Sequence, residues 1–355
     1  MANIISYILN YKDKTFKEEP FNEVDNVIFS SIIYLNFLNI VSNKREYISL
    51  YEAGNIFLKN NTYKEISKLG IAQKDSYKIL KNIYDSIRYK NVLMYNYVYE
   101  NDINKQFGAI TFKFDNKIVV SFEGTDGLLS GWKEDFELSY MFPVPAQQCA
   151  IDYLNNNIKF MDRNVIVVGH SKGGNLALIS SMYTKPFIRR KIKKIYSNDG
   201  PGVRKAQIES KEYKKIKDRY IHLIPNYSYI GILLRNDEYK VIKSKRKDVM
   251  SHSVMSWQVE NTSFIESELS NISKRLENSV IMWLDAHDDE KREKMISTVF
   301  KIFEDCDIYE LDDFKNINKT LNVLKKLKMV DQETKDLITN FIQFNVQNIL
   351  DINKK

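Results

Sequence analysis

Cysteine is almost missing from this chain: Cys149 and Cys306 are the two in 355 residues, and they lie far apart. That excludes a disulfide framework and a thiolate metal site, and it fits a reducing compartment. Proline and glycine are also scarce, at 6 and 12, so the glycines that occur carry information. They cluster at 169–174 and 200–202, and neither residue type follows Gly231. No apolar run approaches the ~18 residues of a membrane span. The opening stretch MANIISYILNYKDKTFKEEP lacks the basic start and apolar centre of a secretory signal. The expectation is a soluble, cytoplasmic protein. No one sign of charge dominates: 53 basic and 46 acidic residues leave a net +7, a mixed and solvated surface. The basic stretches RRKIKK (189–194) and KSKRKD (243–248) could make transient contact with a membrane surface, although solvated lysines are the preferred reading. No basic motif interleaved with aromatics is present, so nucleic acid is not an expected partner.

What is present is enough apolar material, 43% of residues, for one large α/β domain with a helical annex. Apolar residues fall near helical spacing over 22–40 and 73–88. Alternation over 107–114, the DNK turn at 115–117 and the run IVVSFEG (118–124) predict a hairpin, with another strand at 92–99 before it. A helix is predicted over 146–161. Strands follow at 164–169, 191–198, 220–225 and 239–244, with a helix after Ser171. Strands alternating with helices imply a mostly parallel sheet with helices on both faces. Beyond residue 260 the periodicity is helical, over 263–287, 290–305, 312–328 and 331–350. The expected division is an N-terminal helical segment packed on the core (1–90), an α/β core (91–261) and a C-terminal helical annex (262–355).

The stretch NVIVVGHSKGGNLAL (164–178) contains Gly169-His170-Ser171-Lys172-Gly173, a G-x-S-x-G pattern. It follows an apolar strand and opens a helix, the context of a nucleophile elbow. There the serine takes a strained backbone conformation that lifts its hydroxyl above the sheet. The flanking positions pass so close that Gly169 and Gly173 are required. The helix that follows directs its positive end at Ser171, and the Lys172 amide is a candidate oxyanion donor. The bland alternative is a glycine-rich turn whose serine caps a helix.

A serine nucleophile needs a base and a carboxylate behind it. In this fold class they follow in the order Ser, Asp or Glu, His. Three histidines follow Ser171. His222 falls inside a predicted strand and reads as structural, and His287 sits in the charged stretch DAHDDEKRE. His252, in the loop DVMSHSVMSWQ, can reach the strand ends and is preferred. Asp199 in IYSNDGPG, at the end of a strand, is the leading acid, although it could simply make an Asx turn. Asp237 and Asp248 are the alternates. A second oxyanion donor is expected after an earlier strand, and SFEGTDGLLSGW (121–132) offers the Thr125 amide and its hydroxyl.

At this point the chain resembles a known family. The segment VVSFEGTDGLLSGWKEDFEL (119–138) is similar to the oxyanion segment of class 3 lipases, and GHSKGGNLA (169–177) to their elbow. More closely, GTDGLLSGWKEDF, GHSKGGNLA, YSNDGPG, IPNYSYIGILL and HSVMSWQV resemble a bacterial family of lipase-like α/β-hydrolases. That family is a domain of unknown function related to class 3 lipases. The resemblance covers almost the whole chain. It implies an α/β-hydrolase-like fold with Ser171 as nucleophile, His252 as base, and Thr125 and Lys172 at the oxyanion hole. Class 3 lipases carry their acid in the region matching IHLIPNYSYIG, where this chain has Pro225, Asn226 and Ser228 and no carboxylate. Other lipases carry it one strand earlier, which is Asp199. Glu123 stands where the lipase pattern has arginine.

The expected activity is therefore that of a lipase- or esterase-like serine hydrolase acting on an acyl ester, thioester or lipid through a Ser-His-Asp triad, with no metal and no cofactor. The apolar stretch 225–234 could line an acyl pocket, form a lid or be ordinary core. The alternative is a catalytically weak or inactive hydrolase scaffold that serves as a binding protein.

Overall fold

The computed structural model describes residues 2–102, 105–125 and 129–350. Asp126, Gly127 and Leu128 of the segment similar to the lipase oxyanion region, and residues 351–355 of the annex, lie outside the described residues.

Eight strands form one sheet in chain order. They are β1 (Ile48–Ser49), β2 (Leu93–Asp102), β3 (Lys105–Phe114), β4 (Lys117–Phe122), β5 (Val165–His170), β6 (Ile192–Asn198), β7 (Tyr220–Pro225) and β8 (Lys240–Ile242). The first four pair antiparallel, and β4 through β8 pair parallel. The 107–124 hairpin forms as β3–β4 around Asp115, whose φ of 45° suits a tight turn. The expected helical start of the chain also contributes a strand, because β1 adds to the antiparallel edge. A two-residue strand beside Leu93 and Met94 is too short to leave an alternating pattern.

The parallel strands are buried on both faces, so their sequences read as near-continuous apolar runs. Val119, Ile166 and Val168 face the N-terminal helices, among them Ile4–Tyr11, Glu23–Ile32 and Ile71–Ile83. Val120, Val165 and Val167 face the helices Pro145–Asn157 and Lys172–Tyr183. The helix Glu23–Ile32 starts where Asn22 and Asp25 form a reciprocal capping box. It stops well short of the expected residue 40.

The helix expected over 263–287 begins only at Asn271, with Ser270 as its cap. Upstream of it, β9 (Val259–Glu260) and β10 (Ser263–Phe264) form a small hairpin, and Ile242 bridges Glu266. Tertiary pairing here outweighs local helical periodicity. The helices Asn271–Ala286, Asp289–Glu304, Ile317–Leu327 and Gln332–Leu350 follow. They share a core, including Trp283, Met295 and Phe300, with Leu129 and Tyr140 of the α/β part. Among the described residues no helix is long and apolar enough to cross a membrane.

Candidate active site

Ser171 joins β5 to the helix Lys172–Tyr183 with φ 57° and ψ −135°, a conformation sparsely populated by non-glycine residues. The strain is held in place by its surroundings. The Ser171 N–H donates to Asn198 O at 3.0 Å, and Ser171 O accepts from Gly174 N at 2.8 Å. The predicted need for glycine on either side has a steric basis. A Cβ on Gly169 would lie 2.0 Å from Gly173 O, and one on Gly173 would lie 2.2 Å from Phe122 O. Both obstacles are backbone atoms and cannot yield.

The ends of three strands meet here. A Cβ on Gly200, next to Asp199, would fall 2.6 Å from Ser171 O, and one on Gly124 would fall 2.9 Å from Ser171 Cβ. The turn after β4 and the turn after β6 therefore both pack against the serine.

Asp199 is fully buried, and His252 Nδ1 lies 2.7 Å from its Oδ2 with the His252 side chain 25% exposed. Ser228 Oγ donates to Asp199 Oδ1 at 2.5 Å, and Gly231 N donates to the same atom at 3.0 Å. Burial works to raise the Asp199 pKa, but the hydrogen bond and charge of His252, together with Ser228, outweigh it and hold the group below its ordinary value. An ionised carboxylate only accepts, so the His252 Nδ1–H donates to it. The other candidates lie elsewhere. Asp237 pairs with Lys217, and Asp248 pairs with Arg246 while capping the short helix Val249–His252. His222 is buried between Tyr220 and Tyr239, its pKa pushed down to about 4 by burial. His287 closes the helix Asn271–Ala286, with its Nδ1 on Trp283 O.

The loop bearing His252 is fastened from several sides. Trp257 Nε1 donates to Ser251 O at 2.9 Å, Ser251 Oγ donates to Tyr227 O, and Ser253 Oγ donates to Asp75 Oδ2 at 2.5 Å. His170 lies beneath the imidazole, with ring centroids 4.4 Å apart. Its Nε2 donates to His252 O at 3.0 Å, and Tyr34 Oη stands 3.1 Å from its Nδ1. Burial, reinforced by the neighbouring His252, lowers the His170 pKa to about 3, so this ring is neutral.

On the oxyanion side, Thr125 Oγ1 donates to Asp135 Oδ2 at 2.6 Å. The hydroxyl is thereby engaged, which leaves the Thr125 amide as that residue's candidate donor. Asp135 is half-buried, and the loss of solvent around its carboxyl is the main reason its pKa rises to about 6, with Lys172 and Thr125 opposing the rise. Lys172 contributes the first amide of the elbow helix, among the donors that a helix start leaves unpaired. Its ammonium points away into a buried ion pair, 2.8 Å from Glu134 Oε2 and 3.0 Å from Gln106 O.

Sequence reasoning missed the supporting residues. Ser228 and Gly231 hold the carboxylate from the stretch expected to be an acyl pocket, lid or core. Asn26 and Ser30 bond Asn198 from the N-terminal helix, with Asn198 Nδ2 3.0 Å from Asn26 Oδ1 and 3.1 Å from Ser30 Oγ. Asp135 did leave a signal, in the acidic pair that follows Trp132 in GWKEDF.

The sheet order, the strand–serine–helix turn and the convergence of loops from the carboxyl ends of the parallel strands define an α/β-hydrolase-like scaffold. The chain belongs to the Mbeg1-like family, whose pattern matches residues 83–301, more than half of its length. Among solved structures it is similar to M37 lipase, at 13% identity and a TM-score of 0.34 over 58% of this chain and 68% of that one. No curated protein matches the sequence.

Proposed function

We propose that this protein is a serine hydrolase that cleaves an ester or thioester, with Ser171, His252 and Asp199 as its triad. The observation that carries the reading is the His252 imidazole. Its Nδ1 lies 2.7 Å from Oδ2 of the buried Asp199, and its ring stacks on that of His170, the residue before Ser171 and its strained strand–helix turn.

In this reading Ser171 Oγ attacks the acyl carbonyl while His252 Nε2 takes its proton. Asp199 holds the tautomer and stabilises the imidazolium that forms. The amides of Thr125 and Lys172 donate to the developing oxyanion. The imidazolium returns the proton to the leaving alcohol or thiol as the tetrahedral intermediate collapses to the acyl-enzyme. Water then attacks with the same assistance, releasing the acid and restoring Ser171. The substrate is a small acyl ester or a lipid. Catalytic hydrogen bonds are commonly long before substrate binds, so a direct test of serine activation is chemical.

A fluorophosphonate probe should label the wild-type protein at Ser171. Labelling should vanish in Ser171→Ala and fall steeply in His252→Ala, with both variants folded. A folded wild type that does not label, or labelling that survives in Ser171→Ala, would refute the proposal and favour a binding role for the scaffold.

A further inference from the structure

We propose that the amino-terminal edge of the parallel sheet is a docking surface for an anionic phospholipid bilayer. It is built from Phe160, Met161 and Phe187 set among Arg163, Arg190 and Lys193. The inference stands independently of the serine-hydrolase reading.

Phe160 and Met161 form the tip of the turn between the helix Pro145–Asn157 and β5, and they are 76% and 78% exposed. Phe187 projects from the single helical turn Pro186–Arg189 before β6 and is 42% exposed. Single exposed apolar residues are ordinary, but three at one edge are not. An open cavity of about 520 Å3 lies between the two turns, bordered by both phenyl rings and the three named cations.

The tips are held outward. Asp162 receives both Arg45 guanidinium nitrogens, at 2.9 and 2.5 Å, and also accepts from Lys159 N at 2.7 Å. Lys191 Nζ donates to Lys159 O and Phe160 O at 2.6 Å each. The same ammonium stands 5.5 Å from the ring centroids of Phe160 and of Phe187. The turn therefore cannot fold its apolar side chains inward without breaking these bonds.

Among the described residues, no carboxylate pairs with Arg163, Arg190 or Lys193. Asp162, next to Arg163 in the chain, is taken by Arg45. Unpaired cations around protruding apolar tips match the headgroup layer, where phosphates meet the cations and the tips enter the acyl boundary. A single-stranded nucleic acid would need open ring faces along a cationic track. Here the ammonium of Lys191 stands over both rings.

The surface also has a definite orientation. The parallel strands β5 and β6 begin at this edge and end at Ser171 and Asp199, six or seven residues later. At ~3.3 Å per residue that separation is about 20 Å. Docking therefore anchors the protein with the Ser171 end facing the aqueous phase, and turnover of a water-soluble ester does not depend on it.

The test is co-sedimentation of the full chain with phosphatidylcholine vesicles, with and without phosphatidylglycerol. Binding is expected only with phosphatidylglycerol, and it should weaken as salt shortens the Debye length to about 3 Å. The Arg190→Glu/Lys193→Glu and Phe160→Ser/Met161→Ser variants should each lower the partition coefficient at least about tenfold. Their melting and any soluble-ester turnover should match wild type. Equal binding to neutral vesicles, wild-type binding by both variants, or binding of inorganic phosphate or single-stranded DNA without vesicle binding would each overturn the proposal. Loss of fluorophosphonate labelling would not bear on it.

Discussion

Asp199 receives three donors from two segments: His252 from its own loop, and Ser228 and Gly231 from the loop after β7. Replacing it with asparagine removes the charged acceptor that faces His252 Nδ1. Asp199→Asn should cut ester turnover by about 10^4-fold while leaving the fold intact. Asp237→Asn and Asp248→Asn should leave turnover unchanged, since the first touches Lys217 and asparagine caps a helix as well as aspartate. Turnover of a chromogenic ester by the three variants checks this, and equal losses at Asp237 would contradict the assignment. Ser171, His252 and Asp199 could be named as candidates from the sequence because each sits in a motif with local meaning: a glycine-flanked turn, a loop after a short strand, a strand end. Ser228 and Asn198 were not. Their importance comes from partners about thirty and 170 residues away in the chain, and pairings that distant leave no periodic trace.

The helix Glu23–Ile32 was legible as a helix, but not as part of the site's support. Asn26 and Asn198 exchange hydrogen bonds at 2.8 and 3.0 Å in a fully buried setting, and the Asn198 carbonyl takes the Ser171 N–H. Breaking such a network leaves a buried amide unsatisfied. Asn26→Leu should therefore destabilise the protein by about 2–3 kcal/mol and also lower turnover, read by urea unfolding and by ester hydrolysis. A loss of stability with unchanged turnover would show that this helix does not steady the elbow. The strands β3 to β7 were legible because β-branched runs bounded by turns have few alternative readings. The start of the helix at Asn271 was not, because the Ser263–Phe264 pairing competes with the local helical pattern.

Stability of the protein as a unit should depend on pH through two buried neutral histidines. Burial lowers the pKa of His170 to about 3 and of His222 to about 4. Unfolded, each returns to about 6.5. The unfolded state then binds more protons below pH 6.5, so stability is full above that value and falls as pH drops toward each folded value. For His222 the loss between pH 7 and pH 5 is about 2 kcal/mol. Urea unfolding at the two pH values should show it, and a His222→Phe variant should narrow the difference by that amount. An unchanged difference would mean that the ring is not held neutral. The C-terminal helices were legible one by one, but their seat was not. Leu129 N donates to Tyr309 O at 2.9 Å, just after the Thr125 turn, and helix periodicity does not choose such a neighbour.

The loop after β7 grips a carboxylate that grows from the end of β6. One point in space beside the imidazole is thus bordered by the segments that follow two neighbouring strands, β6 and β7. A chain bearing an acid at both addresses would crowd two like charges into one dry pocket and force one to stay protonated. Exchange of the acid between strands is thus geometrically easy and electrostatically guarded. Comparison of such proteins by position in the chain will misassign the acid, whereas comparison by its location relative to the imidazole will not.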